Sequence, residues 1–328
     1  MNEPLVSVII PTYNRAEVIC ETIENIFQQT YPNLELIVVD DGSTDDTPSV
    51  LRSYGNRIRW AAQENAGPSA ARNRGISMAK GEVIAFQDSD DAWHPTKIER
   101  QVSLLQRGGE SVVCCLCNCN VERDGRVVHS FETAPIYPPI EEGMWLNVTE
   151  VLATRCVLFN QAVAVRRKAL VRVGGFDESF RLMEDMELAL RLSLEGPWTF
   201  IREPLATRQA KLRHTLSHEA SEIIVAKNVV RIQEGILRII ESSGRLAALR
   251  PQLERELRRS RRFLRAAQMK ESDVFGASLV GWVLERTEHY RQAAYRRTPW
   301  FPQMKVSALD SRNFWDLRKA SASEPSLR

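Results

Sequence analysis

The run Asp88-Ser89-Asp90-Asp91 follows directly on the apolar stretch Val83-Ile84-Ala85-Phe86. Alternate side chains leave the end of a strand on the same side, so Asp88 and Asp90 can converge on one ion. Carboxylate oxygens suit a hard divalent cation. Magnesium or manganese keeps several waters and is held by one or two carboxylates plus substrate phosphates, so this pair needs no further protein cage. The plainer alternative is a turn in which Asp90 or Asp91 caps the helix expected near Pro95. A second acidic pair stands in Asp40-Asp41-Gly42-Ser43. It offers acceptors to the hydroxyls and N–H groups of a nucleotide or sugar, or it serves an Asp-Gly turn. The expectation is one aspartate on ligand and the other in the turn.

These clusters need elements to carry them. The runs at residues 5–10 and 34–39 are short, β-branched and uninterrupted, as buried parallel strands are, and each stops at a polar cluster. Between them Val18, Thr22, Ile23, Ile26 and Phe27 recur at helical spacing, which makes a right-handed β-α-β unit. The rhythm continues with a helix over 44–54, a strand over 58–60, a helix over 68–79 with an early proline, and a strand over 83–86. Three polar clusters therefore follow the carboxyl ends of three strands, the edge where open α/β sheets bind ligands. A helix over 95–106, a strand over 112–121 and a hairpin turn at Asp124-Gly125 come next. Residues 135–160 show no period and read as a loop-rich region able to meet a second substrate. From Ser221 the pattern is almost wholly helical.

The chain of 328 residues carries a formal charge of +2, split into −7 over residues 1–220 and +9 over 221–328. The basic part, with Arg255, Arg258, Arg259, Arg261, Arg262 and Arg265, reads first as a solvated helical face, and any attraction to an anionic membrane surface or an acidic partner belongs there. Nucleic acid is not expected as a partner. No apolar run reaches the length of a membrane span and the start lacks a signal-peptide layout, so the expected place is the cytoplasm, with peripheral contact at the inner face of the membrane. Four of the six cysteines crowd into residues 114–119 with no second cluster, which favours a buried strand over a zinc site. A dinucleotide-binding oxidoreductase would need a glycine-rich turn where Pro11-Thr12-Tyr13-Asn14 stands, and no Gly-x-x-x-x-Gly-Lys loop is present.

Five motifs in order carry a resemblance. They are Val8-Ile9-Ile10-Pro11-Thr12-Tyr13-Asn14, Val39-Asp40-Asp41-Gly42-Ser43-Thr44-Asp45, Asn65-Ala66-Gly67-Pro68-Ser69-Ala70-Ala71-Arg72-Asn73, Asp88-Ser89-Asp90-Asp91, and Gly174-Gly175-Phe176-Asp177-Glu178 followed by Glu184-Asp185. The chain resembles the family 2 glycosyltransferases of the GT-A fold over residues 5–215. The resemblance implies an α/β fold: a nucleotide-binding sheet of mostly parallel strands flanked by helices in residues 1–220, with a helical extension in 221–328. It implies an inverting transfer of sugar from a nucleoside-diphosphate sugar, usually a UDP-sugar, to a hydroxyl on a saccharide or lipid-linked saccharide, as in surface polysaccharide or glycolipid synthesis. Pro11, Tyr13 and Asp41 would contact the nucleotide, Asn65 and Arg72 would complete the donor pocket, and Asp88 and Asp90 would clamp Mn²⁺ or Mg²⁺ with the diphosphate.

Asp185 stands where the family places its catalytic base. The positive potential of a helix start favours the ionised form that such a base needs. Glu187 is expected to pair with Arg191 one turn on. Arg208, Arg213 and His214 lie near where related enzymes close basic residues on the diphosphate, although the spacing departs from the usual Arg-x-His.

Overall fold

The computed structural model describes residues 3–123, 125–134, 136–153, 159–209, 222–244, 246–271, 304–307 and 309. The N-terminal half holds β1 (Val6–Thr12), α1 (Ile19–Phe27), β2 (Leu34–Asp40), α2 (Thr47–Ser53), β3 (Arg59–Ala62), α3 (Pro68–Met78), β4 (Val83–Phe86), β5 (Ala92–Trp93) and α4 (Lys97–Arg107). There follow β6 (Cys114–Arg123), β7 (Arg126–His129), α5 (Ser130–Thr133), β8 (Glu142–Trp145), α6 (Val148–Leu152), β9 (Val163–Arg166), α7 (Arg167–Arg172), α8 (Glu184–Glu195) and β10 (Trp198–Arg208). A helical hairpin, α9 (Glu222–Ser243) and α10 (Arg250–Glu271), and a two-residue strand β11 (Val306–Ser307) close the described chain.

One mixed sheet runs β11-β8-β10-β6-β9-β4-β1-β2-β3, with β5 and β7 attached to β10 and β6. The strands β3, β2, β1 and β4 are parallel, as their β-α-β spacing dictates. Beyond β4 the sheet departs from the mostly parallel pattern expected: β9 runs antiparallel to both β4 and β6. Every residue of β1 is buried, since helices cover both faces of the sheet. Helix α1 buries Ile19, Thr22, Ile23 and Ile26, a single stripe at the spacing of one helical face. Helix α3 lies closer than a larger residue would allow: a Cβ on Gly75 would sit 2.4 Å from Cγ2 of Ile9. That approach brings Arg72, one turn earlier, over the end of the sheet.

The cysteine run forms buried strand β6, and all four thiols are free. Burial pushes them above the ordinary thiol range, with Cys115 at about 12, so they behave as small apolar side chains. The described residues within 135–160 hold more order than their composition suggests. Strand β8 pairs antiparallel with β10, and β11 returns from the far C-terminus to pair with β8. The side chain of Asn147 accepts a hydrogen bond from Lys305 N at 2.7 Å, which anchors that return.

The hairpin is no detached tail. Ile232, Ile236, Ile240 and Leu253 share an apolar cluster with Ala153, Phe180 and Leu190, and Met183 and Met186 pack against it. Among the described residues no helix is long and apolar enough to cross a membrane.

Candidate active site

Three loops at the carboxyl ends of β1, β2 and β4 and the start of α8 bring the acidic residues together. The first two loops are stitched to each other. Asn14, at φ +51°, donates its backbone N–H to Ser43 Oγ at 2.8 Å and accepts from Thr44 N at 2.8 Å. Asp40 accepts from Ser43 N at 3.0 Å and so closes the turn. Asp41, 4% exposed, accepts from Gln63 Nε2, Ala66 N and Gly67 N at 2.8, 3.0 and 2.8 Å. Both aspartates thus have local structural work: Asp40 closes the turn and Asp41 holds the loop after β3. Asp41 also sets the path of the loop that carries exposed Asn65. Pro11 is buried within β1, while Tyr13, two residues on, is 43% exposed.

Arg72 is the hub. Only 4% exposed, it donates Nη2 to Asp88 Oδ1 at 2.7 Å and Nη1 to Glu184 Oε1 at 2.8 Å, while its guanidinium lies 5.4 Å from the centre of the Phe176 ring. Burial alone would favour loss of its proton. The charges of Asp88 and Glu184 more than reverse that and hold it cationic. Arg72 thus links Asp88, after β4, to the start of α8. Its spacing could not reveal this, because Glu184 lies 112 residues away.

In the Asp88 cluster the roles separate. Asp91 is buried and accepts from Gln161 Nε2 at 2.7 Å and Gln209 N at 2.9 Å, which ties β10 to the loop after β4. Neither Asp90 nor Asp91 caps α4, whose N-cap is Thr96. Asp90 is pushed upward by burial and then by the charge of Asp88, against the pull of Arg15 and Arg208. Asp88 gives one oxygen to Arg72 and is 32% exposed at its side chain. Two neighbouring carboxylates, Asp88 and Asp90, offer oxygen donors of the kind that suits a hard cation. Among the described residues no group of three or more His, Cys, Asp or Glu side chains could cage an ion. Asp88 and Asp90 could hold an ion there only together with ligand oxygens.

Arg15 is the residue that sequence reasoning missed; the Asn14-Arg15 step after β1 brings its charge to Asp90. Arg208 sits at the end of β10 with its guanidinium 5.7 Å from the Phe159 ring centre, and Arg213 and His214 lie outside the described residues. A cleft of about 360 Å³ opens beside Asp90 and Asp91, lined by Glu21, Thr22, Asn25 and Gln28 of α1 and its end.

Glu184 and Asp185 open α8 in different states. Glu184 is pinned by Arg72 and lies 3.5 Å from Asn160 Nδ2. Asp185 accepts from Met186 N at 2.7 Å and has no cation partner among the described residues. Crowding raises its carboxyl to about 7: burial contributes most, then the charge of Glu184, while Met186 N and Arg72 pull the other way and Asp88 adds a little. The helix start does not keep Asp185 fully ionised, as its position alone suggests; desolvation wins, leaving a carboxyl that exchanges its proton near neutral pH. Glu187 pairs with Arg191 at 2.5 Å, as the spacing predicts.

The family model described as "Glycosyl transferase family 2" matches residues 7–179. The chain belongs to glycosyl transferase family 2. It is 34% identical over 189 residues to an uncharacterised glycosyltransferase of Rickettsia typhi, covering 56% of this chain and 57% of that one. It is 30% identical over 203 residues to the chondroitin synthase of Escherichia coli, covering 61% of this chain and 28% of the relative. The aligned part thus spans little more than half of the first relative and less of the second. Solved structures share the fold. S. aureus TarS 1-349 in complex with UDP-GlcNAc superposes with a TM-score of 0.60 at 19% identity, over 92% of this chain and 99% of that one. The Pyrobaculum calidifontis mannosyltransferase PcManGT in complex with GDP-Man and Mn²⁺ gives 0.58 at 22%, over 90% and 83%. The family 2 chain accordingly has the GT-A α/β fold with a C-terminal helical extension.

Proposed function

We propose that this family 2 enzyme moves a sugar from a nucleoside-diphosphate sugar, of the UDP type, to a hydroxyl of a saccharide or lipid-linked saccharide in one step with inversion. The single observation that carries the reading is the contrast at the start of α8: Arg72 pairs with Glu184, whereas Asp185 makes no ion pair among the described residues and is raised to about 7. A base with that proton affinity is matched to neutral pH. A hydroxyl is a poor nucleophile until it gives up its proton. Asp185 takes that proton as the oxygen bonds to the anomeric carbon, and the electron pair of the breaking C–O bond leaves with the diphosphate. One base on the acceptor side favours direct displacement, by analogy with the inverting geometry of glycoside hydrolysis.

Asp88 and Asp90 are the residues that would hold Mn²⁺ or Mg²⁺. Such an ion, when bound, supplies positive charge to the departing diphosphate. Arg72 keeps Asp88 oriented, and Arg15 and Arg208 add cationic charge to the same region. Asp41 orders the Asn65 loop around the nucleotide, and with three of about four acceptor sites filled it retains one for a ribose hydroxyl or base N–H. Tyr13 offers an exposed ring beside Pro11 for the base. The UDP assignment draws on TarS, whose structure holds UDP-GlcNAc. The place in polysaccharide synthesis draws on the chondroitin synthase relative.

A membrane contact fits α10. Arg255, Arg258, Arg259, Arg262 and Arg265 are all exposed, and their spacing lines one side of the helix opposite buried Leu253, Leu257 and Ala267. The donor reading is tested by thermal shift with UDP-, GDP- and dTDP-sugars in Mn²⁺, followed by NMR of the product formed from the stabilising donor. Stabilisation by UDP-sugars and an inverted anomeric centre are expected; no stabilisation by any donor, or a retained configuration, defeats the proposal.

A further inference from the structure

The hairpin of α9 and α10 lies outside the matched residues 7–179, yet α9 grips the segment that leads into Glu184 and Asp185. Asn228, 5% exposed, donates Nδ2 to the carbonyl of Leu182 at 2.9 Å. Arg231 donates Nη2 to Ser179 Oγ at 2.6 Å, lies 3.6 Å from Asp177 and stacks 3.9 Å from the centre of the Phe180 ring. From the other side α3 holds the same segment. Ser69 Oγ donates to the Phe180 carbonyl at 3.1 Å and Asn73 Nδ2 to the Phe176 carbonyl at 2.9 Å.

The segment ends on Met183 at φ +62°, a left-handed conformation that is unfavourable for a non-glycine residue. Such a conformation persists when the surroundings over-determine it. The Leu182 carbonyl belongs to the peptide plane immediately before that turn, so the bond from Asn228 fixes the plane and with it the direction in which α8 sets out. Asp185 is two residues further on. No side chain of the helix N-cap does this work, since Met183 caps nothing.

We propose that Asn228, backed by Arg231, is a positioning residue for Asp185, so that the C-terminal hairpin completes the catalytic site from outside the family core. The inference rests on the reading of Asp185 as the base. A misplacement of about 1 Å at a reacting group costs on the order of 10²-fold in rate, so loosening the turn should show in turnover.

The test uses the full chain and the donor found by the thermal-shift panel. Asn228→Leu keeps the volume and removes the donor group; Arg231→Ala, on a partly exposed side chain, serves if Asn228→Leu does not fold. The expected result is a kcat lower by about 10-fold or more with donor KM within about twofold. UDP and Mn²⁺ affinity by calorimetry should hold, and amide exchange should quicken over residues 177–187 but not in the strands. Arg231→Lys should recover most of what Arg231→Ala loses. In an Asp185→Asn background Asn228→Leu should cost little more, because the positioned group is already gone. Unchanged kcat and exchange, or a full additional loss in that background, would overturn the positioning role. If Asp185→Asn itself turns over normally, the base reading fails, and the exchange data still report whether Asn228 holds the turn.

Discussion

Replacing Asp185 by asparagine is expected to stabilise the protein above neutral pH while disabling it. A carboxyl at 3.8 in the unfolded chain and about 7 in the fold binds its proton more tightly when folded. Its cost is therefore absent below about pH 4, grows as pH rises toward 7, and is complete above it. Each tenfold displacement of a proton equilibrium is worth about 1.4 kcal/mol, which would put the full cost at roughly 4 kcal/mol. Part of it is shared with Glu184, whose charge is the second cause, so about 2 kcal/mol is the share that asparagine should relieve. For a domain of this size that corresponds to roughly 4–8 °C in Tm. The amide keeps an oxygen for Met186 N, so the local hydrogen bond survives. Thermal unfolding at pH 5 and pH 8 reads the effect. A variant no more stable than the wild type at pH 8, or equally stabilised at both values, would refute the account of the raised carboxyl.

Arg72→Met should lower stability by about 3 kcal/mol, because it leaves Asp88 and Glu184 without their shared cation, and it should also weaken nucleotide binding; chemical denaturation and calorimetry measure both. Asp90→Ala should abolish Mn²⁺-dependent nucleotide binding by calorimetry while the fold holds, since few protein groups are available to an ion there. Neutralising Arg255, Arg258, Arg262 and Arg265 to glutamine should cut sedimentation with anionic vesicles at low salt, with no loss when vesicles are neutral. This is a better probe than truncation after residue 220, which would strip the apolar cluster around Phe180 and Leu190.

The parallel half of the sheet was legible because its signals are local: an apolar run such as residues 83–86 and the polar cluster that ends it are neighbours in sequence. The motif residues could be placed at the sheet edge for the same reason. What stayed hidden depends on distance along the chain. Arg72 meets Glu184, and Asn228 meets Leu182, only after the fold closes. Strands β8 and β11 are short pieces whose pairing is set by neighbours distant in sequence: β8 adds to β10, and β11 adds to β8. The helix position of Asp185 does not reveal its state, because a first-turn potential is smaller than the cost of burying the carboxylate beside Glu184. Lys97, fully buried against the Trp93 ring at 3.7 Å and bonded to Gln101, had no signal at all.

The central claim, that Asp185 and not Glu184 accepts the acceptor's proton, is tested most directly by steady-state turnover of Asp185→Asn beside Glu184→Gln on the same donor. Asp185→Asn is expected to lower kcat by about 10²-fold or more with donor affinity little changed, and Glu184→Gln to weaken turnover less. Near-normal turnover in Asp185→Asn, or the larger loss in Glu184→Gln, would contradict it.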